Sequence, residues 1–378
     1  MTETNNQSFF YKIRNNSLAF VSSIIIGLAV LLAFFAYYIA PDSSPNANNQ
    51  FLELSKLKPG TEITFIQLPK NTKISEQVFF NRLLFGKTYN FSEIPIQSYH
   101  ISQDKLAIVP FTKSNTFIKD TIYFPLSKII KDYSEDRFTE NAQINKALSK
   151  IIITKTFYLG SDRFGRDLLS RLLLGMRISL SVGFVAVLIA LIIGTSLGSI
   201  AGYFGGKIDD FILWLINVIW SLPSLLLIIA ITFALGKGFW QVFIAIGLSM
   251  WVEIARVVRG QVIAYKNQEY IEAAKALGYS HFRIIFHHIL PNIVAPVIVI
   301  SAANFASAIL VEAGLSFLGL GVAPPTPSWG SMIRENYSSI FFDSSYLALL
   351  PGLAILLLVL TFMLFGKGLR EVFNVRSY

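Results

Sequence analysis

The chain has 378 residues, of which 53% are hydrophobic and 15% are charged, and its formal net charge is +9. A mean hydropathy of +0.55 is too high for a protein whose whole surface faces water, so the composition predicts a membrane protein. The sequence contains no cysteine, which excludes disulfides, thiolate metal sites and cysteine nucleophiles. A membrane protein with basic cytoplasmic loops has the same excess of positive charge as a nucleic-acid-binding protein, and we do not expect nucleic acid as a partner.

The first apolar run extends from Leu18 to Ala40 and follows a short segment that carries Lys12 and Arg14. A cleaved signal peptide is the alternative interpretation, but its apolar core would be only about 7 to 15 residues long and would end at a small-x-small site. This run has 23 residues and ends in Tyr-Tyr-Ile-Ala-Pro. We therefore predict a cytoplasmic N-terminus at 1–17 and an uncleaved transmembrane helix at 18–40.

Five further apolar runs predict membrane-spanning helices. A helix needs about 20 apolar residues to cross the hydrocarbon core of a bilayer, and the run that starts at Phe239 reaches this length only with its flanking residues. The predicted spans lie near 178–201, 211–235, 239–257, 292–311 and 346–366. The expected fold is thus an all-α membrane protein with six transmembrane helices.

The distribution of basic residues predicts the orientation of these helices. Short cytoplasmic loops are enriched in Lys and Arg, whereas long translocated domains escape this rule. With the N-terminus inside, the short outer connections hold only Lys237 and Arg334. The inner segments hold eleven basic residues: Lys12, Arg14, Lys207, Arg256, Arg259, Lys266, Lys275, Arg283, Lys367, Arg370 and Arg376. Both termini are therefore predicted to be cytoplasmic.

The segment 41–158 between the first two spans has a different composition. It is rich in Asn, Ser, Thr and Lys, with strand-like stretches at Ile63–Leu68 and Leu106–Phe111 and a helix-like stretch at Ala142–Ile152. Its apolar content is too high for a disordered segment. We predict a folded extracytoplasmic α+β insert between helices 1 and 2.

Three features of the spans concern packing and charge. Gly194, Gly198 and Gly202 recur every four residues, which predicts a helix packing surface, because small residues let helices approach closely in a bilayer. Glu253 is expected to pair with Arg256 at the membrane interface. Glu312 is predicted at the end of the fifth span, either at the level of the lipid headgroups or lining a transport pathway.

The loop at 258–291 contains the pattern that bears most directly on function. Its residues 268–292 read QEYIEAAKALGYSHFRIIFHHILPN, which predicts a helix through Leu277, a left-handed stop at Gly278 and a second helix that ends near Pro291. The apolar faces are predicted to be Ile271, Ala274 and Leu277 on the first helix and Phe282, Ile285 and Ile289 on the second. Such a cytoplasmic elbow is suited to docking into a groove of a soluble partner.

This pattern resembles the EAA loop of ABC-importer permeases. The matching residues are Glu272, Ala273, Ala274, Gly278, Leu290 and Pro291, and His288 stands where the family usually has isoleucine. Two further stretches resemble the oligopeptide and dipeptide branch: LGSDRFGRD at 159–167, with Ser161 in place of threonine, and LSFLGLGVAPPTPSWG at 315–330. The resemblance is close over 159–378, loose over 1–41 and absent from the long insert.

The resemblance implies a C-type permease subunit of a binding-protein-dependent peptide importer in the bacterial cytoplasmic (inner) membrane. The permease core would be 159–378, and the coupling loop 258–291 would contact the ATPase. The implied partners are a second homologous permease, two cytoplasmic ATPase subunits and an extracytoplasmic substrate-binding protein. The chain itself is not expected to be an enzyme or to hold a cofactor or metal.

Two functional alternatives stay open at this point, namely transport of nickel or another small solute, and an ion channel or receptor with a folded ectodomain. A third class, a membrane-embedded hydrolase, would need a convergent nucleophile and base in the bilayer, and the sequence shows no such pair. The insert is interpreted either as a docking platform for the substrate-binding protein or as a structural cap over the helix ends.

Overall fold

The computed structural model describes residues 9–70, 78–102, 105–113, 121–129, 141–236 and 238–373. The chain forms two compact units. Unit 1 contains Met1–Ala33, Gly175–Arg334 and Leu349–Tyr378, and unit 2 contains Phe34–Leu174 and Glu335–Ala348. The described part of unit 1 is helical, whereas unit 2 contains the β-sheet.

The helices in chain order are α1 (Phe9–Asn15), α2 (Ser17–Phe34), α3 (Ala36–Ile39), α4 (Phe79–Phe85), α5 (Leu126–Ile129), α6 (Asn141–Leu148), α7 (Leu168–Phe204), α8 (Gly206–Trp220), α9 (Ser224–Leu235), α10 (Phe239–Lys266), α11 (Glu269–Ala276), α12 (His281–Arg283), α13 (Val294–Leu318), α14 (Trp329–Asn336) and α15 (Tyr346–Val372). A π-helix at Ile284–Ile289 and a 3-10 helix at Leu290–Ile293 join α12 to α13 without a loop.

Five helical segments in the described chain are long and apolar enough to cross a membrane: α2, α7, α10, the continuous segment His281–Leu318 and α15. The sixth predicted span, 211–235, is broken. Helices α8 and α9 meet there at a bend of 94°. Pro223 caps the N-terminus of α9, where its missing N–H removes no helical hydrogen bond. The count is thus five spans, or six if the bent pair crosses as one.

Most helices extend beyond their predicted bounds. Helix α7 starts at Leu168 instead of near 178, and α13 continues to Leu318 instead of ending near 311. The prediction stopped at Arg177 for the second span and at Glu312 for the fifth. Arg177 is half-buried and Glu312 is fully buried, and protein contacts allow such polar residues to stay within a helix.

The described residues of unit 2 form a five-stranded antiparallel sheet with the strand order β4-β3-β2-β1-β5. The strands are β1 (Thr61–Pro69), β2 (Phe91–Ser102), β3 (Lys105–Pro110), β4 (Ile122–Pro125) and β5 (Ile152–Phe157). Ile66, Ile96, Leu106 and Ile108 pack against helices α5 and α6 on one face. The predicted strands at Ile63–Leu68 and Leu106–Phe111 correspond to β1 and β3, and the helix-like stretch corresponds to α6.

Candidate coupling elbow and its supporting helices

The first helix of the elbow ends in a Schellman motif at the predicted glycine. Gly278 has φ of +77°, a left-handed conformation that favours glycine. The N–H of Tyr279 donates to the carbonyl of Ala274 at 3.1 Å, and the N–H of Gly278 donates to that of Lys275 at 2.9 Å. These two bonds satisfy carbonyls that the end of α11 would otherwise leave unpaired. The left-handed stop predicted from the sequence is therefore confirmed.

The second half of the elbow is a helix whose winding changes twice. Ser280 caps α12 by accepting a bond from the N–H of Arg283 at 3.4 Å. The π-helix then loosens the winding, and the 3-10 helix tightens it again where Pro291 occurs. A π-helical segment is rare and is often found at functional sites. The sequence predicted a helix here but not its change of winding.

The elbow has one buried and one exposed apolar face. Ile271, Ala274, Ile284, Ile285 and Ile289 pack into one core with residues of α7 and α10. This core fixes the elbow to the long helices of unit 1.

Leu277 and Phe282 were predicted to share the apolar faces of the elbow helices, but 74% and 73% of their surfaces are exposed, and Phe286 is 59% exposed. Leu277 is the C-cap residue after the end of α11 at Ala276, and Phe282 lies in the three-residue helix α12. Periodicity within each helix therefore did not separate these two exposed residues from the buried ones.

The residues that match the family pattern are divided between the two helical halves of the elbow. Glu272 and Ala273 are exposed on α11, next to the buried Ala274, and Leu290 is half-buried at the start of the 3-10 helix. Pro291 is exposed. The Oη atom of Tyr203 on α7 hydrogen-bonds with Nδ1 of His281 at 2.9 Å. This bond adds a polar attachment between the start of the elbow's second helix and α7.

The predicted glycine surface lies directly on α10. A Cβ atom built on Gly194 would be 2.6 Å from the carbonyl oxygen of Trp251, and one on Gly198 would be 2.5 Å from that of Ala255. A Cβ on Gly202 would be 2.8 Å from the carbonyl oxygen of Arg259. The backbones of α7 and α10 thus approach too closely for any side chain at these positions. We call these three glycines and the facing turns of α10 the glycine seam.

A second connection joins α8 to α10. Arg259 donates to both carboxylate oxygens of Asp209, from Nε at 2.5 Å and from Nη2 at 2.7 Å. Such a bidentate pair fixes geometry as well as charge. Sequence patterns do not reveal this pair, because the two residues are 50 positions apart.

The predicted pair of Glu253 with Arg256 is not formed. Arg256 instead donates to Asn217 at 3.2 Å, and its guanidinium lies 3.5 Å from the ring centroid of Trp220. Both partners belong to α8. Spacing along α10 alone could not reveal this tertiary competitor.

Glu312 is fully buried in unit 1 and lies six residues before the end of α13. The Oγ atom of Ser316 donates to its Oε1 at 2.6 Å. It is therefore not the terminal residue that the sequence suggested. A role in the transport pathway stays a prediction.

The stretch LGSDRFGRD forms an ionic cluster within unit 2. Arg166 donates from Nε to Asp162 at 2.6 Å and contacts Glu335 through Nη2. Arg171 lies 3.6 Å from each of the same two carboxylates. Asp162, Arg166 and Arg171 are at most 3% exposed. The stretch therefore forms a buried ionic network that connects the loop before α7 to Glu335.

Removing one partner of a buried ion pair costs about 3 to 5 kcal/mol, because the remaining charge loses its compensation. We therefore expect Arg166→Met to lower the free energy of unfolding by about 3 kcal/mol. Thermal unfolding of the detergent-solubilised chain measures this effect. The matched control is Arg163→Met, which removes an exposed arginine from the same loop. Equal unfolding temperatures for the two variants would contradict the structural role of the network.

The described chain thus combines five or six helical segments that are long and apolar enough to cross a membrane with a helical elbow that is partly exposed. Residues 194–376 match the family described as binding-protein-dependent transport system inner membrane component, and residues 5–59 match the N-terminal TM domain of oligopeptide transport permease C. The dipeptide transport system permease protein DppC of Alkalihalophilus pseudofirmus is 42% identical over 274 residues, which is 72% of this chain and 87% of that protein.

Two more relatives extend the comparison. The glutathione transport system permease protein GsiD of Pectobacterium atrosepticum is 37% identical, covering 66% of this chain and 80% of that protein. The oligopeptide transport system permease protein OppC of Bacillus subtilis is 37% identical, covering 58% and 72%. An inward-facing structure of the MetNI methionine ABC transporter has 17% identity and a TM-score of 0.44, covering 54% of this chain and 95% of that one.

The chain belongs to the family of binding-protein-dependent transport system inner membrane components. Within this family its relatives are the C-type permease proteins of the dipeptide, oligopeptide and glutathione systems. The family resemblance and the inner-membrane location predicted from the sequence are thereby confirmed.

Proposed function

We propose that this chain is a permease subunit of an ATP-driven, binding-protein-dependent importer that carries peptides. The observation that supports this most is its 42% identity to a dipeptide permease over 274 residues, together with the exposed apolar elbow. In this proposal the chain and a second homologous permease form the transport path between them. Two cytoplasmic ATPase subunits drive the transport, and an extracytoplasmic binding protein delivers the cargo.

For the topology, we propose six spans in which α8 and α9 count as one bent span. Both termini then lie in the cytoplasm, as the count of eleven inner against two outer basic residues indicates. This orientation exposes the elbow to the ATPases. It also places the insert 41–158 outside, where the binding protein arrives.

The exposed face of the elbow suits a coupling role. Leu277, Phe282 and Phe286 are exposed apolar side chains of the elbow, and aromatic and apolar side chains are typical of protein contact sites. Behind it, the buried face packs on α7 and α10. Movement of a docked ATPase would therefore be transmitted to these two long helices instead of being absorbed by a loose loop.

Reconstitution of the complete importer into proteoliposomes tests the function. We expect ATP-dependent accumulation of a labelled dipeptide that requires the binding protein. Parallel measurements with nickel and of ionic conductance examine the two alternatives. Nickel uptake without dipeptide uptake would identify nickel as the cargo in place of peptides. Ionic conductance without ATP would indicate a channel in place of an importer.

A charge at position 282 of the elbow is expected to weaken binding of the ATPase subunits. Phe282→Asp places a carboxylate on an apolar contact, where it must be desolvated without a partner. We expect the ATPase subunits to dissociate at least about tenfold more readily during co-purification, given that truncating a central aromatic contact typically costs 2 kcal/mol or more. The control is Phe341→Asp, which changes an aromatic residue that is 84% exposed in unit 2. Normal ATPase retention in the Phe282 variant would argue against this surface.

We also propose that the insert is a docking platform for the binding protein. From Pro41 to Arg177, 19 basic minus 13 acidic residues gives a net charge of +6. This charge can steer an acidic partner, and salt should weaken the effect beyond a Debye length of ~10 Å. The structural cap is the competing interpretation.

The deletion variant removes residues 62–156, which make up most of the insert. Thr61 of β1 pairs with Phe157 of β5, so a short Gly and Ser linker can join these positions. The deletion retains the bond from the N–H of Leu57 to Ser161 Oγ at 2.9 Å.

In the deletion variant we expect intact assembly of permeases and ATPases but a raised dissociation constant for the binding protein, measured in nanodiscs. If the complex assembles normally and its affinity for the binding protein is unchanged, the docking proposal is wrong and the structural-cap interpretation stands.

A further inference from the structure

Unit 2 contains a cavity of about 400 Å³ that the coupling role does not use. Its lining includes Asp42, Asn49, Phe51, Phe65, Lys155 and Asp167. These residues come from the chain after α3, from strands β1 and β5, and from the loop before α7. Pockets of this size hold small organic ligands, with apolar walls for the body of the ligand and a few polar groups that orient it.

One part of the lining is acidic. Asp167 is 6% exposed, and its Oδ1 accepts bonds from the N–H of Ser170 at 2.7 Å and from its Oγ at 2.5 Å. Its Oδ2 has no hydrogen-bond partner in the described chain. The same Ser170 Oγ accepts a bond from the N–H of Asp42 at 2.9 Å. This bond connects the backbone of Asp42 to Asp167 through Ser170, while the carboxylate of Asp42 accepts bonds from Ser44 and Asn49. Both aspartates line the cavity.

A cation beside Asp167 would offset the cost of its buried negative charge. Burial raises the pKa of its carboxyl group, and the neighbouring charge of Asp42 raises it further. Bonds from Ser170 and the charge of Lys155 act in the opposite direction. A positively charged ligand group beside Oδ2 would supply the missing hydrogen bond and offset the repulsion between the aspartates.

The rest of the lining argues against a bare metal ion. Phe51 and Phe65 form an aromatic wall, with ring centroids 5.1 Å apart. The ammonium of Lys155 lies 5.3 Å from the Phe65 ring and 2.5 Å from Glu93. A hard cation requires about six to eight oxygen ligands and gains nothing from an aromatic wall or an ammonium group. An organic ligand that carries both charges and an apolar side chain fits better.

We propose that this cavity binds a short zwitterionic peptide. Asp167 and Asp42 receive its N-terminal ammonium group, Lys155 faces its carboxylate, and Phe51 and Phe65 contact an apolar side chain. The choice of a peptide among zwitterionic ligands rests on the proposed function. The cavity would be a cargo site on the permease itself, in addition to the site on the binding protein.

The test uses the absence of native cysteine. Thr154, which lines the cavity and is exposed, is replaced by cysteine in the assembled importer in nanodiscs without binding protein. The rate of maleimide labelling is measured with and without phenylalanyl-alanine. Ser149→Cys, an exposed position outside the cavity lining, is the matched control. N-acetyl-phenylalanyl-alanine, which lacks the ammonium group, is the control ligand.

We expect the dipeptide to slow labelling at position 154 but not at 149, and the acetylated dipeptide to have no effect. Asp167→Asn, which keeps the acceptor for Ser170, should raise the dipeptide concentration for half-protection by roughly tenfold. Glu53→Gln, which removes an exposed carboxylate outside the cavity, should leave that concentration unchanged.

Uptake of the same dipeptide by the complete importer is measured in parallel, which separates the two proposals. Equal labelling with and without dipeptide in a preparation that transports it overturns the cavity site and leaves the importer function standing. Protection without transport overturns the peptide importer and leaves the site. Protection that persists unchanged in Asp167→Asn, or with the acetylated dipeptide, overturns the assignment of the ammonium group to Asp167.

Discussion

Gly278→Val is expected to uncouple transport from ATP hydrolysis. A β-branched residue at φ of +77° is strained by about 1 to 3 kcal/mol, because the side chain approaches the backbone. The Schellman bonds that end α11 are then lost or displaced, and the exposed Leu277 and Phe282 change their relative positions. Because no atom lies within 4 Å of a Cβ built on Gly278, the effect comes from the backbone conformation alone.

The matched control is Gly278→Asn, because asparagine tolerates the left-handed conformation far better than valine. We expect the Asn variant to retain most uptake and the Val variant to lose at least about tenfold, an effect equivalent to ~1.4 kcal/mol. Uptake and ATP hydrolysis are measured in the same proteoliposomes at equal protein levels. Normal uptake by the Val variant would refute the coupling role of the turn.

Local sequence patterns predicted those features that depend on neighbouring residues. Gly278 stops a helix because of its own conformational freedom, and the sequence placed this stop at the correct position. Glycines four residues apart lie on one side of a helix whatever the helix packs against, so the surface of the glycine seam was predictable. Its partner, α10, was not, because spacing within one helix contains no information about the facing element.

Tertiary contacts determined the rest. The bend before α9 depends on the position of Pro223 at the start of that helix. The sequence did not predict the bend, because the apolar run continues on both sides of it. Arg256 reaches Asn217 and Trp220 on α8 in preference to a glutamate one turn away. Arg166 pairs with Glu335 across 169 positions of sequence. In each case the deciding partner is distant in the chain.

The cavity of unit 2 illustrates the same limit for a site. Asp42 and Asp167 are separated by the whole insert, and the sequence gives each of them an ordinary loop environment. Only the fold brings them to one wall through Ser170. The stretch LGSDRFGRD resembles the peptide-permease branch, but this resemblance predicted no role for its last aspartate, Asp167.

Gly198→Leu is expected to open the glycine seam. The first side-chain atom already meets the carbonyl oxygen of Ala255 at 2.5 Å and Cβ of Val258 at 2.9 Å. Backbone atoms cannot rotate away as a flexible side chain can, so α7 and α10 must separate. In a bilayer this separation removes close packing that no hydrophobic effect between helices replaces. We expect a loss of about 1 to 3 kcal/mol or more in stability, as for other overpacked cores.

The glycine seam lies within one chain, so the first consequence concerns the fold of this subunit, and weaker assembly with the second permease would follow from it. Gly198→Ala distinguishes the close approach of the two backbones from the larger volume of a leucine side chain as the cause of strain. Its single Cβ already meets the backbone of α10. We therefore expect Ala to lower the thermal unfolding temperature in detergent nearly as much as Leu.

Gly27→Leu is the matched control, since a Cβ at Gly27 on α2 has no neighbour within 4 Å. The prediction requires a lower unfolding temperature for both Gly198 variants than for wild type and the Gly27 variant. If Gly198→Leu assembles and unfolds like wild type, the two helices can separate without cost, and the glycine seam does not hold them together. If Gly198→Ala is neutral while Leu is not, the constraint is side-chain volume and the close backbone approach is unimportant.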